Sequence, residues 1–90
     1  MDNWEIYIRT IDNHCEFWSV KLNSNGTLSS VIKFGALGKS SGSLHDYKDV
    51  ALVDAKRRDK LRNGYVYFGK RKYASPMLSE LQSVSCQRAM

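Results

Sequence analysis

The stretch EFWSVKLNSNGTLSSVIKF, Glu16 to Phe34, decides the fold. Its first half alternates, with Phe17, Ser19 and Lys21 on one side and Trp18, Val20 and Leu22 on the other. Aromatic and β-branched residues in that period suit a pleated, half-buried surface. Ser24-Asn25-Gly26 then breaks the pattern, and Asn and Gly accept the positive φ of a tight turn. Thr27 to Phe34 reads as the return strand. The whole predicts a β-hairpin.

Working outward, WEIYIRT (Trp4 to Thr10) alternates in the same way and predicts a strand ahead of the hairpin. After the hairpin, KFGALGKSSGS (Lys33 to Ser43) contains Gly-Lys-Ser and invites comparison with a phosphate-cradling loop. That loop needs a glycine, four residues and then Gly-Lys-Ser/Thr, between a strand and a helix. Here Lys33 stands where the first glycine belongs, and Ser-Gly-Ser after Ser40 starts a helix poorly. The nucleotide reading is rejected. A glycine-rich turn and a short strand across SGSLH remain.

From about Asp49 to Asn63 the chain is rich in Ala, Lys and Arg and free of Gly and Pro, which predicts a helix. Asp46 or Asp49 is placed to cap it, its acids lean to the start and its bases to the end, and Asn63-Gly64 stops it. YVYF (Tyr65 to Phe68) is a last short strand, with Tyr65 and Tyr67 assigned to opposite faces. GKRK follows as a basic link. Ser75-Pro76 then reads as an N-cap and first helical residue, opening a short helix with Leu78, Leu81 and Val84 along one side. Its stripe is open to two uses, packing on this domain's own sheet or docking on a partner. The expected fold class is α+β: a small antiparallel sheet with one covering helix and a short C-terminal helix, divided as a domain over 1–70 and an extension over 71–90.

Ninety residues make one small domain, with room for a net stability of roughly 5–10 kcal/mol. The sequence has no apolar run of bilayer length, and its first residues lack the layout of a signal peptide. A cytoplasmic location is expected, with Cys15 and Cys86 as ordinary reduced thiols. Trp4 and Trp18 are expected in the core, and His45 as a structural or exposed residue. The net charge is +5, and eight of the fourteen basic residues lie between Lys56 and Lys72 against a single acid, Asp59. Such concentration points to a polyanion-facing surface or a solvated helix face.

Three pieces in this order resemble the WGR domain. Phe17-Trp18 stands where that family carries an aromatic-Trp pair in its second strand. Phe34-Gly35-Ala36-Leu37-Gly38 stands at the name-giving Trp-Gly-Arg-aliphatic-Gly motif, and Lys60-Leu61-Arg62-Asn63-Gly64-Tyr65 matches the helix end. The match covers about residues 4 to 68. It implies that Gly35 and Gly38 serve a turn, that Leu37 is core, and that the chain contacts nucleic acid, as the domain does in DNA-dependent poly(ADP-ribose) polymerases. The motif tryptophan is replaced by Phe34, which keeps a stacking face without the indole donor, and the motif arginine by Ala36.

The functional expectation is a non-enzymatic module that contacts DNA or RNA phosphates. Its candidate residues are Lys33, Phe34, Lys39, Arg57, Arg58, Lys60, Arg62, Lys70, Arg71 and Lys72. The alternative is a protein-interaction adaptor docking on an acidic partner. No nucleophile with a base, carboxylate pair or metal-ligand spacing is present in the sequence, so no enzyme activity, metal, cofactor, small-molecule substrate or membrane partner is expected.

Overall fold

Alternating strands, each too short to bury a face alone, zip into one sheet. The computed structural model describes residues 3–12, 14–37 and 42–76. In chain order these form β1 (Trp4–Ile11), β2 (His14–Leu22), β3 (Leu28–Ala36), β4 (Ser43–Asp46), α1 (Val50–Arg62) and β5 (Val66–Arg71). The sheet runs β4-β3-β2-β1-β5, and every neighbouring pair is antiparallel. The expected α+β architecture of an antiparallel sheet with one helix is what the chain adopts.

The predicted hairpin is β2–β3. Its turn closes with the Asn23 amide donating to the Thr27 carbonyl at 2.8 Å and the Gly26 amide to the Asn23 carbonyl at 2.9 Å, Gly26 sitting at φ +86°. Register then fixes which side chains meet. Trp18 lies opposite Tyr7 and Phe34, and Val20 opposite Ile32. On that face Tyr7, Trp18, Val20 and Ile32 join Val53 of α1 and Tyr65 in one core. On the far face Ile6, Ile8, Cys15 and Phe17 form a second core, with Trp4, Leu37 and Phe68 packed against it.

α1 begins where expected. Asp49 is the N-cap, its carboxylate accepting from the Ala51 and Leu52 amides, while Asp46 accepts from Ser30 and the Lys48 amide. The first turn holds no acid, so the negative charge that favours the helix start sits on the cap itself. At the other end Asn63 is the C-cap and Gly64 follows at φ +93°, a conformation that carries no Cβ penalty in glycine. Arg9 Nη1 donates to the Asn63 carbonyl at 3.0 Å and so ties the helix end to β1.

Three expectations are corrected. GKR is not a link: Gly69, Lys70 and Arg71 belong to β5 and pair with Ile6, Glu5 and Trp4, Gly69 at φ +135° absorbing a bulge in the ladder. Backbone pairing with β1, which puts Lys70 opposite Glu5, holds the strand where the weak strand tendency of lysine does not. Tyr65 and Tyr67 do not take opposite faces, because residues two apart along an extended chain point the same way. Tyr65 lies in the helix-side core, and the Tyr67 ring packs tilted at 59° against Tyr7, with centroids 5.5 Å apart. Lastly, Cys15 is disulfide-bonded and not a reduced thiol; Cys86, like the expected helix beyond Pro76, lies outside the described residues.

Candidate functional site

The helix flank that faces the β4 edge gathers rings and cations. Phe34 and His45 lie on adjacent strands, with His45 opposite Ile32, so both rise on the helix side of the sheet. Their rings stack at 12° and 5.5 Å, and His45 stacks again on Tyr47 at 12° and 6.1 Å. The result is a ladder of three near-parallel rings along the β4 edge. Phe34 and His45 are exposed, and Tyr47 is half-buried against the core. Gly42 is required beside it, since a Cβ there would stand 2.7 Å from the Phe34 carbonyl oxygen.

α1 lays its lysines along the ladder. Lys56 Nζ lies over the Tyr47 ring at 5.2 Å, and Lys60, one turn on, lies over Tyr65 at 5.3 Å. Arg9 crosses the same Tyr65 ring at 4.7 Å while pairing with Glu16 at 2.7 Å. Each cation–π contact contributes about 0.5–1 kcal/mol at such exposed sites and holds the ammonium close to the aromatic surface. The Arg9 guanidinium, with the Tyr65 hydroxyl donating at 3.3 Å, holds the Glu16 carboxyl below its ordinary range. Arg9 also donates to the Asn63 carbonyl, so the pair is tied to the helix end where Lys60 lies over the same ring.

The ten residues singled out from the sequence do not converge. Phe34 and Lys60 belong to this flank. Arg57 turns inward on the other side of α1, donating to Asp54 through both Nε and Nη2, its shortest contact 2.7 Å. Arg58 and Arg62 face outward, paired with Asp54 at 3.4 Å and Asp59 at 3.3 Å. Lys33 is opposite Ser19, and Arg71, opposite Trp4, lies over Phe68 at 4.8 Å, so both belong to the far face. Lys70 is on β5, three strand spacings or about 14 Å from β3. Lys72 follows β5, and Lys39 is outside the described residues. His45, Tyr47, Lys56 and Arg9 complete the flank and were not among the ten. The i, i+2 spacing of His45 and Tyr47 was a signal available in the sequence, whereas the stacking on Phe34 follows only from the β3–β4 register.

A second concavity offers different chemistry. Glu5, Thr27, Leu28, Val50, Asp54 and Arg57 line an open cleft of about 650 Å³ between the helix start and the β2–β3 turn. The Tyr7 hydroxyl donates to Glu5 at 2.9 Å, and burial pushes its pKa up to about 12, so it stays protonated. The charged groups here already satisfy one another. Among the described residues no group of three or more His, Cys, Asp or Glu is placed to hold a metal ion, and no helix is long and apolar enough to cross a membrane. Compared with protein-family models, with curated proteins and with solved structures, the chain matches none.

Proposed function

We propose that this chain is a WGR-like, non-enzymatic nucleic-acid-binding module, and that its contact surface is the helix flank carrying the aromatic ladder. One observation supports the reading above the rest: Phe34, His45 and Tyr47 form a stacked, partly exposed ring surface with Lys56 over Tyr47, and Lys60 follows one helical turn on, over Tyr65. Rings that accept a base or sugar face, bordered by cations that meet phosphates, are what sequence-tolerant nucleic-acid binding requires. Phe34 stands at the motif aromatic, and the flank supplies through Lys56 and Lys60 the charge that Ala36 removes from the motif. The proposal includes no cofactor, small-molecule substrate or membrane partner. It places the module in the cytoplasm, where thiol pools keep most cysteines reduced, so the form with Cys15 reduced is the one to assay beside the disulfide form.

The adaptor reading draws on a different surface. Val66 and Tyr67 are more than half exposed on β5, an edge strand with free backbone groups that another protein strand can pair with. Fluorescence anisotropy with nicked, blunt and single-stranded probes over a range of salt separates the two. Saturable binding that weakens as salt rises supports the nucleic-acid reading. Absence of binding to every probe at low salt overturns it and leaves the adaptor.

A further inference from the structure

The middle rung of the ladder is its one imidazole. His45 is exposed, stacked on Phe34 from β3 and on Tyr47 just past the end of β4. The strand opposite presents Ile32, and α1 presents Lys56 across the Tyr47 ring. Asp46, next along β4, accepts from the Ser30 hydroxyl and the Lys48 amide. Asp49 is occupied as the helix cap. Among the described residues, the imidazole thus stands between two π faces, with the Lys56 ammonium beyond Tyr47 and the Asp46 carboxylate one residue along the chain.

We propose that His45 sets the affinity of this surface for nucleic acid through its protonation state, a regulation that rests on the nucleic-acid reading above. As neutral imidazole it is a flat ring that extends the stacking surface. As imidazolium it has two N–H donors and a positive charge between Phe34 and Tyr47, beside Lys56. A phosphate chain lying along the flank supplies the negative charge that outweighs Lys56, so binding and protonation reinforce one another. By linkage, the bound polyanion raises the proton affinity of His45 by the same factor that protonation raises binding.

The test uses a fluorescein-labelled single-stranded oligonucleotide at fixed ionic strength, titrated at about pH 5.5 and about pH 8, on either side of the ordinary histidine range. The wild-type chain is expected to bind about three- to tenfold more tightly at the lower pH, with a salt slope steeper by about 0.7 for the added contact. His45→Gln abolishes the difference, and His45→Arg binds tightly at both values. His14→Gln retains the difference, because His14 sits 3.7 Å from Glu16, outside the ladder. Imidazole proton shifts followed with and without oligonucleotide should show the His45 titration moving to higher pH on binding. Binding in which His45→Gln keeps the full pH dependence overturns the role of His45 and leaves the nucleic-acid reading standing. No binding at either pH overturns both.

Discussion

Neutralising Lys56 and Lys60 together should cripple binding, whereas neutralising Arg58 and Arg62 should not. Both pairs lie one turn apart on α1, about 6 Å along the axis, and each removes two charges, so a purely electrostatic view makes them equal. The surroundings differ. Lys56 and Lys60 rest over Tyr47 and Tyr65 beside the ring ladder, while Arg58 and Arg62 face outward with Asp54 and Asp59 within 3.4 Å. Two lost phosphate contacts lower the salt slope by about 1.4 on single strands and about 1.8 on duplex, which over a fourfold change in salt is roughly a tenfold difference in affinity. At low salt Lys56→Gln with Lys60→Gln should cost about 1–2 kcal/mol of binding. The arginine pair should cost less than half of that, since each removal also frees an aspartate whose repulsion is the smaller effect. Anisotropy titrations at several salt concentrations measure both, and thermal melts guard against unfolding, each lysine contributing no more than about 1 kcal/mol through its ring contact. A larger loss in the arginine variant, or an unchanged slope in the lysine variant, refutes the placement of the surface.

Other outcomes follow from the fold. Val53 is the one fully buried residue of α1, so Val53→Ala loses two buried carbons and leaves a void, costing about 2–3 kcal/mol in urea unfolding; a loss below about 0.5 kcal/mol would mean the helix is not docked through it. Glu16 has a folded pKa below its unfolded value, so its contribution, about 1 kcal/mol, is present above about pH 4.3 and is lost as pH falls through the folded pKa. Glu16→Gln should flatten the acid limb of the stability curve and leave its shape near neutrality alone. Reduction of the Cys15 disulfide should lower stability by about 2–4 kcal/mol, read as a drop in Tm on adding reductant that Cys15→Ser no longer shows. Ending the chain after Tyr73 should lower Tm markedly, because it removes buried Ala74 and Pro76 and the carbonyl to which buried Ser19 donates; an unchanged Tm would show that this segment is not part of the fold.

Local chemistry made the hairpin and the helix legible. Ser-Asn-Gly marks a turn by backbone freedom alone, and Asp49 and Gly64 mark helix ends through hydrogen bonding and φ. What distant residues decide was not legible. The strand course of Gly69 to Arg71 follows from pairing with Trp4 to Ile6 far back in the chain, and lysine and arginine by themselves argue for a loop. The scatter of the basic residues had a similar cause. A count of charge between Lys56 and Lys72 cannot say that Arg57 turns in to Asp54, that Arg71 lies over Phe68 on the far face, or that Lys56 meets Tyr47. The ladder is the clearest case, for Phe34 and His45 lie eleven residues apart and meet only because Phe34 pairs with Ser43.

The same hairpin strand explains why one face of the sheet is free to present a surface at all. β2 buries Phe17, Trp18, Ser19 and Val20 in succession, so both of its faces need cover, and a single helix can supply only one. The far face is reached by the residues after β5, where Ser19 donates its hydroxyl to the Ala74 carbonyl and Ala74 and Pro76 are buried. With that face occupied, α1 need not lie over the middle of its own side. It sinks a single fully buried residue, Val53, into the helix-side core and leaves the β4 edge uncovered. An uncovered edge bearing three stacked rings would be an aggregation hazard if it were apolar. Lys56 on the adjoining helix flank and a histidine at its centre make it polar, and under the proposed function those same groups are the ones a phosphate chain would meet.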